Sequence, residues 1–218
     1  MLPQMELIHH INIIIHVLAG SIALLTGLTA LSVSKGGKLH IRFGWYFTRM
    51  IILVILTGLV GIFVFRRNNF LLVITLLSAY NCFSGIRALR LKGRRPEAID
   101  YLAPVIVTGS ALYYLYYIQS AGLYWSPVII YSTLGALFLV CTYDLLKWAM
   151  PGSLLQSAVL YEHVYKMISA FSAITSAFSG TVLSQYKPYS QFLPSAIGMI
   201  CIIVIFIRIR NKLICARS

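Results

Sequence analysis

Negative charge is the scarcest property of this chain. Its 218 residues include 5 Asp+Glu against 18 Lys+Arg, for a net charge of +13, and charged residues of every kind make up only 11%. A water-soluble domain carries about 25% charged residues, so too few are present to cover a soluble surface. Hydrophobic residues make up 59% of the chain, and the mean hydropathy is +0.84. So apolar a body excludes a soluble nucleic-acid binder despite the basic balance. It also excludes disorder, which requires low hydrophobicity.

Cysteine is scarce as well. Cys82, Cys141, Cys201 and Cys215 form no C-x-x-C pair, which argues against a disulfide framework or a zinc ribbon. The expectation is that they are small buried apolar residues. No HExxH, P-loop or GxGxxG pattern occurs, and Lys35-Gly36-Gly37-Lys38 reads as a turn with basic flanks. No metal site and no cofactor are assigned.

Long apolar runs dominate what remains. Seven are recognisable: Leu7–Val33, Gly44–Phe65, Phe70–Leu89, Tyr101–Gln119, Pro127–Trp148, Leu155–Leu183 and Phe192–Ile209. About 20 apolar residues suffice for a helix to cross roughly 30 Å of hydrocarbon. Barrel strands would need strict alternation, which Met50–Phe65 lacks. The fold class predicted is all-α, a polytopic membrane helical bundle of about seven transmembrane helices in one domain, residues 1–218. The leader Met1–Glu6 lacks positive charge and no small-residue cleavage box follows, so the first run is expected to stay in place.

The distribution of Lys and Arg predicts orientation. The first connection holds Lys35, Lys38 and Arg42; Arg90, Lys92, Arg94 and Arg95 lie in the third with Arg87 at its edge, Lys147 in the fifth, and Arg208, Arg210, Lys212 and Arg217 in the tail. The opposite side holds Arg66, Arg67 and Lys187. This bias puts the N-terminus outside and the C-terminus in the cytoplasm, with Arg66-Arg67 against the trend. The basic collar is expected to attract anionic lipid heads rather than nucleic acid. Every connection is short, so any chemistry belongs inside the bundle or on its faces.

Small residues at spacings of three and four mark packing seams: Gly20, Ala23, Gly27 and Ala30 in the first helix, and Ser169, Ala173, Ser176 and Gly180 in the sixth. Pro104, Pro127 and Pro194 are placed near helix starts, where a missing donor is tolerated. Tyr113, Tyr114, Tyr116, Tyr117, Tyr124 and Trp125 read as an aromatic belt at the lipid–water boundary.

Ionisable groups at membrane depth carry more information, because burying them is costly. His9, Asn12 and His16 share a face of the first helix, with His16 roughly 12 Å below its outer end. The alternatives there are a hydrogen bond to a neighbouring helix and a ligand or proton-relay role. In the sixth helix Glu162 and Lys166 stand four apart and can pair, and His163 sits roughly 10 Å above the cytoplasmic end. Arg49 is counted to a similar depth; Asp144 closes the fifth helix and His40 lies at the mouth of the second. The site candidates are therefore His16, His40, Arg49, Asp144, Glu162, His163 and Lys166. They form either an interfacial salt-bridge network or a polar cavity for an anionic or quinone-like ligand, or a proton path. Haem b would need two histidines at one level, whereas His16 and His163 are counted to differ by about 8 Å or more in a 30 Å slab.

Several segments resemble a bacterial multipass "predicted membrane protein" family of unknown function. They are His16-x-x-x-Gly20, Leu24-Leu25-x-Gly27, Lys35-Gly36-Gly37-Lys38-Leu39-His40 with Gly44, Arg49-Met50, Phe83-Ser84-Gly85-x-Arg87-Ala88-Leu89, His163-x-x-Lys166-Met167, Thr175-x-x-Phe178 and Leu193-Pro194-x-x-x-Gly198. The chain departs from that pattern at His40-Ile41-Arg42, where members often have His-Arg, and at Thr175-Ser176-Ala177-Phe178. The resemblance implies a seven- or eight-helix bundle and directs attention to His16, His40, Arg49 and His163; it implies no activity.

Three functions remain open. One is a carrier, or a proton- or redox-linked component, of the bacterial inner membrane with a buried polar site near the cytoplasm. The second is a non-catalytic accessory or assembly subunit, docking a membrane-protein partner or a second copy. The third is a haem b or quinone electron-transfer protein.

Overall fold

Apolar runs of this length satisfy their backbone hydrogen bonds within themselves only as helices. The computed structural model describes residues 3–65, 70–120 and 127–215, and no strand occurs among them. Seven α-helices follow in order: α1 (Pro3–Ser32), α2 (Lys38–Phe63), α3 (Phe70–Leu91), α4 (Ala98–Ser120), α5 (Pro127–Leu146), α6 (Gly152–Val182) and α7 (Tyr189–Cys215). Short 3-10 turns lie at Lys147–Ala149 and Ser184–Tyr186. Arg66, Arg67, Tyr124, Trp125 and Arg217 fall outside the described residues.

Six of these helices, α1 to α5 and α7, are long and apolar enough to cross a membrane. The exception is α6, which at 31 residues is the longest helix described. Length does not disqualify it; its polar content does, with Glu162, His163 and Lys166 near its middle and serines and threonines beyond them.

Helices start earlier than the apolar runs suggested: α2 at Lys38 rather than Gly44, α4 at Ala98 rather than Tyr101, and α7 at Tyr189 rather than Phe192. Polar first turns are helical without being apolar, so hydropathy does not register them. Pro104 and Pro194 therefore lie inside α4 and α7, not in their first turns. Of these three, Pro127 alone begins its helix. Two further expectations change. Cys201 is exposed, whereas Cys82 and Cys141 are buried as expected. Tyr113, Tyr116 and Tyr117 are exposed as belt residues should be, but Tyr114 is buried.

The chain divides into two compact units, Met1–Thr75 and Leu76–Ser218, with the division inside α3. In the first, α1 and α2 form a hairpin. The small-residue stripe of α1 supplies its seam: Ala23 and Ala30 are buried, and Gly20 lies opposite Val54. The connecting turn explains its own sequence. Gly36 has φ +78, a conformation that side chains with a Cβ avoid. The Lys35 ammonium donates to the carbonyls of Leu31 and Val33, and His40 Nδ1 donates to that of Ala30 at 2.9 Å. Together they satisfy carbonyls that the end of α1 leaves without helical partners.

In the second unit α4 packs with α5 and α6 with α7. The α6–α7 seam is small and polar. Ser176 and Ser195 hydroxyls are 3.2 Å apart, Ser179 donates to the Ser190 carbonyl at 2.5 Å, and Gly180 and Gly198 admit Gln191 and Ser172 against the helix backbones. Close approach of this kind drives helix association in lipid, where hydrophobicity supplies no preference.

Candidate functional site

The polar stretch of α6 meets the middle of α3 and the end of α5 in a buried cluster. Its centre is Asp144 on α5. Two hydroxyls from α3 donate to its Oδ2, Tyr80 at 2.7 Å and Ser84 at 2.6 Å. Its Oδ1 receives two ammonium groups, Lys147 at 2.7 Å and Lys166 at 2.6 Å. Lys166, on α6, is 1% exposed. It spends all three of its donors: on Asp144, on Ser84 Oγ at 2.7 Å and on Glu162 Oε2 at 3.4 Å. Glu162 Oε2 also takes Lys147, and its Oε1 accepts from the Tyr143 hydroxyl at 2.9 Å. The Tyr143 ring lies 5.3 Å and 5.8 Å from the two ammonium groups, within cation–π range.

The local sequence explains this convergence. Asp144 and Lys147 stand three apart, so the turn that ends α5 brings both to one side; Glu162 and Lys166, four apart, do the same on α6. On α3, Tyr80 and Ser84 are four apart and point their hydroxyls the same way. Two carboxylates and two ammoniums sum to zero, which is the condition under which charges of this kind tolerate burial.

A second ion pair stands beside it. Arg87, one turn beyond Ser84 on α3, grips Asp100 at the start of α4 with Nε and Nη2, at 2.6 and 2.7 Å, and reaches Glu97 at 2.8 Å. Asp100, the third residue of α4, also accepts the backbone N–H of Glu97 just before the helix at 2.9 Å, as the reach-back half of a capping box does. A cavity of about 10 Å³, roughly the space of one water, is lined by Arg87, Asp100, Tyr80, Ser84, Asp144 and Lys147. It joins the part-buried Arg87–Asp100 pair to the buried cluster.

The structure thus brings together three of the sequence candidates, Asp144, Glu162 and Lys166. His163 is next to them in sequence but turns to another partner: its Nδ1 donates to the Gly85 carbonyl on α3 at 3.1 Å. The other three candidates belong to the first unit. His16 Nδ1 bonds the Thr57 hydroxyl at 2.8 Å, while Asn12 donates to the Thr57 carbonyl at 3.1 Å. His40 closes the end of α1, and Arg49 is exposed on α2.

Sequence reasoning missed Lys147, Tyr80 and Ser84 in the cluster, and the whole Arg87–Asp100–Glu97 clamp. Lys147 had a detectable signal, its i+3 spacing from Asp144. Hydroxyls on an apolar helix have none, because Ser and Tyr are common at such positions for packing and interfacial reasons. Among the described residues no group of three or more His, Cys, Asp or Glu side chains is placed to hold a metal ion. Comparison with family models, with curated proteins and with solved structures finds no match.

Proposed function

We propose that this chain is a multipass protein of a bacterial inner membrane, working as a proton-coupled carrier or a proton-linked component, with the Asp144–Lys147–Glu162–Lys166 cluster as its coupling site. In this reading α6 also crosses, making seven spans, with the N-terminus outside and the cluster toward the cytoplasm. The Lys and Arg distribution supports that orientation.

The observation carrying the reading is Lys166, 1% exposed on a long helix and bonded at once to α3, α5 and its own turn. Ionisable groups at membrane depth are costly and mark proton and ion pathways. The chemistry follows from the charge count. A proton taken up by Asp144 or Glu162 leaves two ammoniums facing one carboxylate. That arrangement does not stay dry, so water enters or α3, α5 and α6 shift. Release of the proton restores the closed cluster.

The test uses the full chain in liposomes loaded with a pH-sensitive dye under an imposed pH gradient. The wild type is expected to speed collapse of the gradient, and Lys166→Met/Asp144→Asn, which keeps the cluster's charge sum at zero, to abolish the effect. Collapse no faster than in empty liposomes, or equal for both proteins, would overturn the proposal.

A second reading, an accessory or assembly subunit, is favoured by the completeness of Lys166's internal bonding and by the close α6–α7 seam. It predicts a co-purifying membrane partner that survives the double substitution and is lost when outward-facing small residues are enlarged.

A further inference from the structure

The charges of the two units are satisfied very differently. Of the five carboxylates in the chain, Glu97 and Asp100 are held by Arg87, and Asp144 and Glu162 by Lys147 and Lys166. The remaining one, Glu6, stands in the first turn of α1. That is about a full helix length, near 40 Å at 1.5 Å per residue, from the end of α1 that adjoins α2. Among the described residues no carboxylate pairs with Lys38, Arg42 or Arg49 of α2.

These cations are not scattered. Lys38, Arg42, Trp45 and Arg49 follow one another at steps of four, three and four, which aligns them on one face. The same face continues through Ile52, Leu56, Val60 and Phe63. It is exposed along its length, Leu56 at 55% and Phe63 at 69%, while Phe47 and Ile51 opposite are buried against the fold. From Ile52 to Phe63 the helix rises about 16 Å, the depth of one leaflet of a 30 Å core. Trp45, also exposed, stands between Arg42 and Arg49, and an interfacial ring belongs at such a charged boundary. Arg42 is held out along the helix by its contact with Tyr46, Nε to hydroxyl 3.3 Å and guanidinium to ring 5.8 Å.

We propose that this face of α2 is a binding site for an anionic glycerophospholipid. Arg42 and Arg49 hold the phosphate from either side, Lys38 adds to the field, Trp45 lies between the two arginines at the headgroup level and one acyl chain runs along Ile52 to Phe63. Guanidinium groups suit phosphate because they offer paired donors in a fixed fork. A lipid supplies the counter-charge that the protein does not place there. The site rests on α2 crossing the membrane but not on any role of the Asp144 cluster, so failure of one proposal leaves the other standing.

The test is lipid retention by the full chain, purified in a mild detergent and weighed intact by native mass spectrometry. Phosphatidylglycerol, phosphatidylcholine and inorganic phosphate are the probes. The expected result is retention of phosphatidylglycerol over phosphatidylcholine, weakened roughly thirtyfold in Arg42→Gln/Arg49→Gln. Arg208→Gln/Arg210→Gln removes the same charge from exposed positions of α7 and should keep wild-type retention. Equal retention of the two lipids would overturn the site, as would equal losses in the two double variants. Displacement of the lipid by inorganic phosphate would show a free-anion site and also overturn it. The substituted side chains are exposed, and an unchanged melting temperature confirms that each variant is folded.

Discussion

The ammonium groups of Lys147 and Lys166 share a single carboxylate oxygen, Asp144 Oδ1, at 2.7 and 2.6 Å. Two cations drawn to one atom repel each other, so the arrangement requires the second carboxylate, Glu162, which both also touch. The four charges form one unit and should respond to substitution as one.

Lys166→Met alone leaves two buried carboxylates with one cation. It should destabilise the protein by about 3–5 kcal/mol, the cost of stranding a buried charge. Adding Asp144→Asn removes the surplus charge and should recover a large part of that loss. Thermal unfolding in detergent, run as a double-mutant cycle, measures the recovery; a double variant no more stable than Lys166→Met would contradict charge balance as the organising condition.

The Arg87 clamp should be unequal in its parts. Asp100 is mostly buried and accepts the Glu97 N–H, whereas Glu97 is 62% exposed. Glu97→Gln is expected to cost less than about 1 kcal/mol, as exposed ion pairs do. Asp100→Ala loses the bond to the Glu97 N–H and the ion pair together and should cost more, about 1.5–3 kcal/mol. Equal melting temperatures for the two variants would contradict this ranking.

Glycines offer a contrast between the seam and open positions. A Cβ on Gly198 would collide with the Ser172 hydroxyl, and turning that hydroxyl away still leaves Ser172 Cβ at 3.1 Å. Gly198→Ala should therefore destabilise by about 1–3 kcal/mol. Gly135→Ala meets nothing within 4 Å and should be neutral or gain up to about 1 kcal/mol from helix propensity. Melting temperatures in one detergent compare the two directly.

In the first unit, Thr57→Val removes the hydroxyl that His16 bonds. A loss of about 1 kcal/mol is expected, with Thr57→Ser retaining most of the stability. Unfolding curves of the two variants that coincide would show that the His16–Thr57 bond contributes nothing.

Much of this was legible in the amino-acid order. Apolar length alone located all seven helices, and counting residues inward from the expected cytoplasmic side gathered Arg49, Asp144, Glu162, His163 and Lys166 in one layer, of which Asp144, Glu162 and Lys166 meet in the cluster. Lys147 was less legible because a lysine at a helix end resembles any collar residue; only the approach of α6 draws it inward. The turn of His163 toward Gly85 depends on a glycine carbonyl of a distant helix, which no periodicity reveals. The polar first turns of α4 and α7 were invisible for the opposite reason, being helical without being apolar. Arg87 looked like part of a basic connection, and its carboxylate partners lie 10 and 13 residues away across a turn.

The coupling-site reading depends on α6 crossing the bilayer, since it is the helix whose polar content keeps it out of the apolar set. Single cysteines placed at Gly152 and at Tyr186, on either side of α6, in a chain whose native cysteines are replaced, can be labelled in intact cells with a thiol reagent that does not cross membranes. The account predicts that Tyr186→Cys labels from outside and that Gly152→Cys labels only after the membrane is breached. Labelling of both positions from the same side would contradict it.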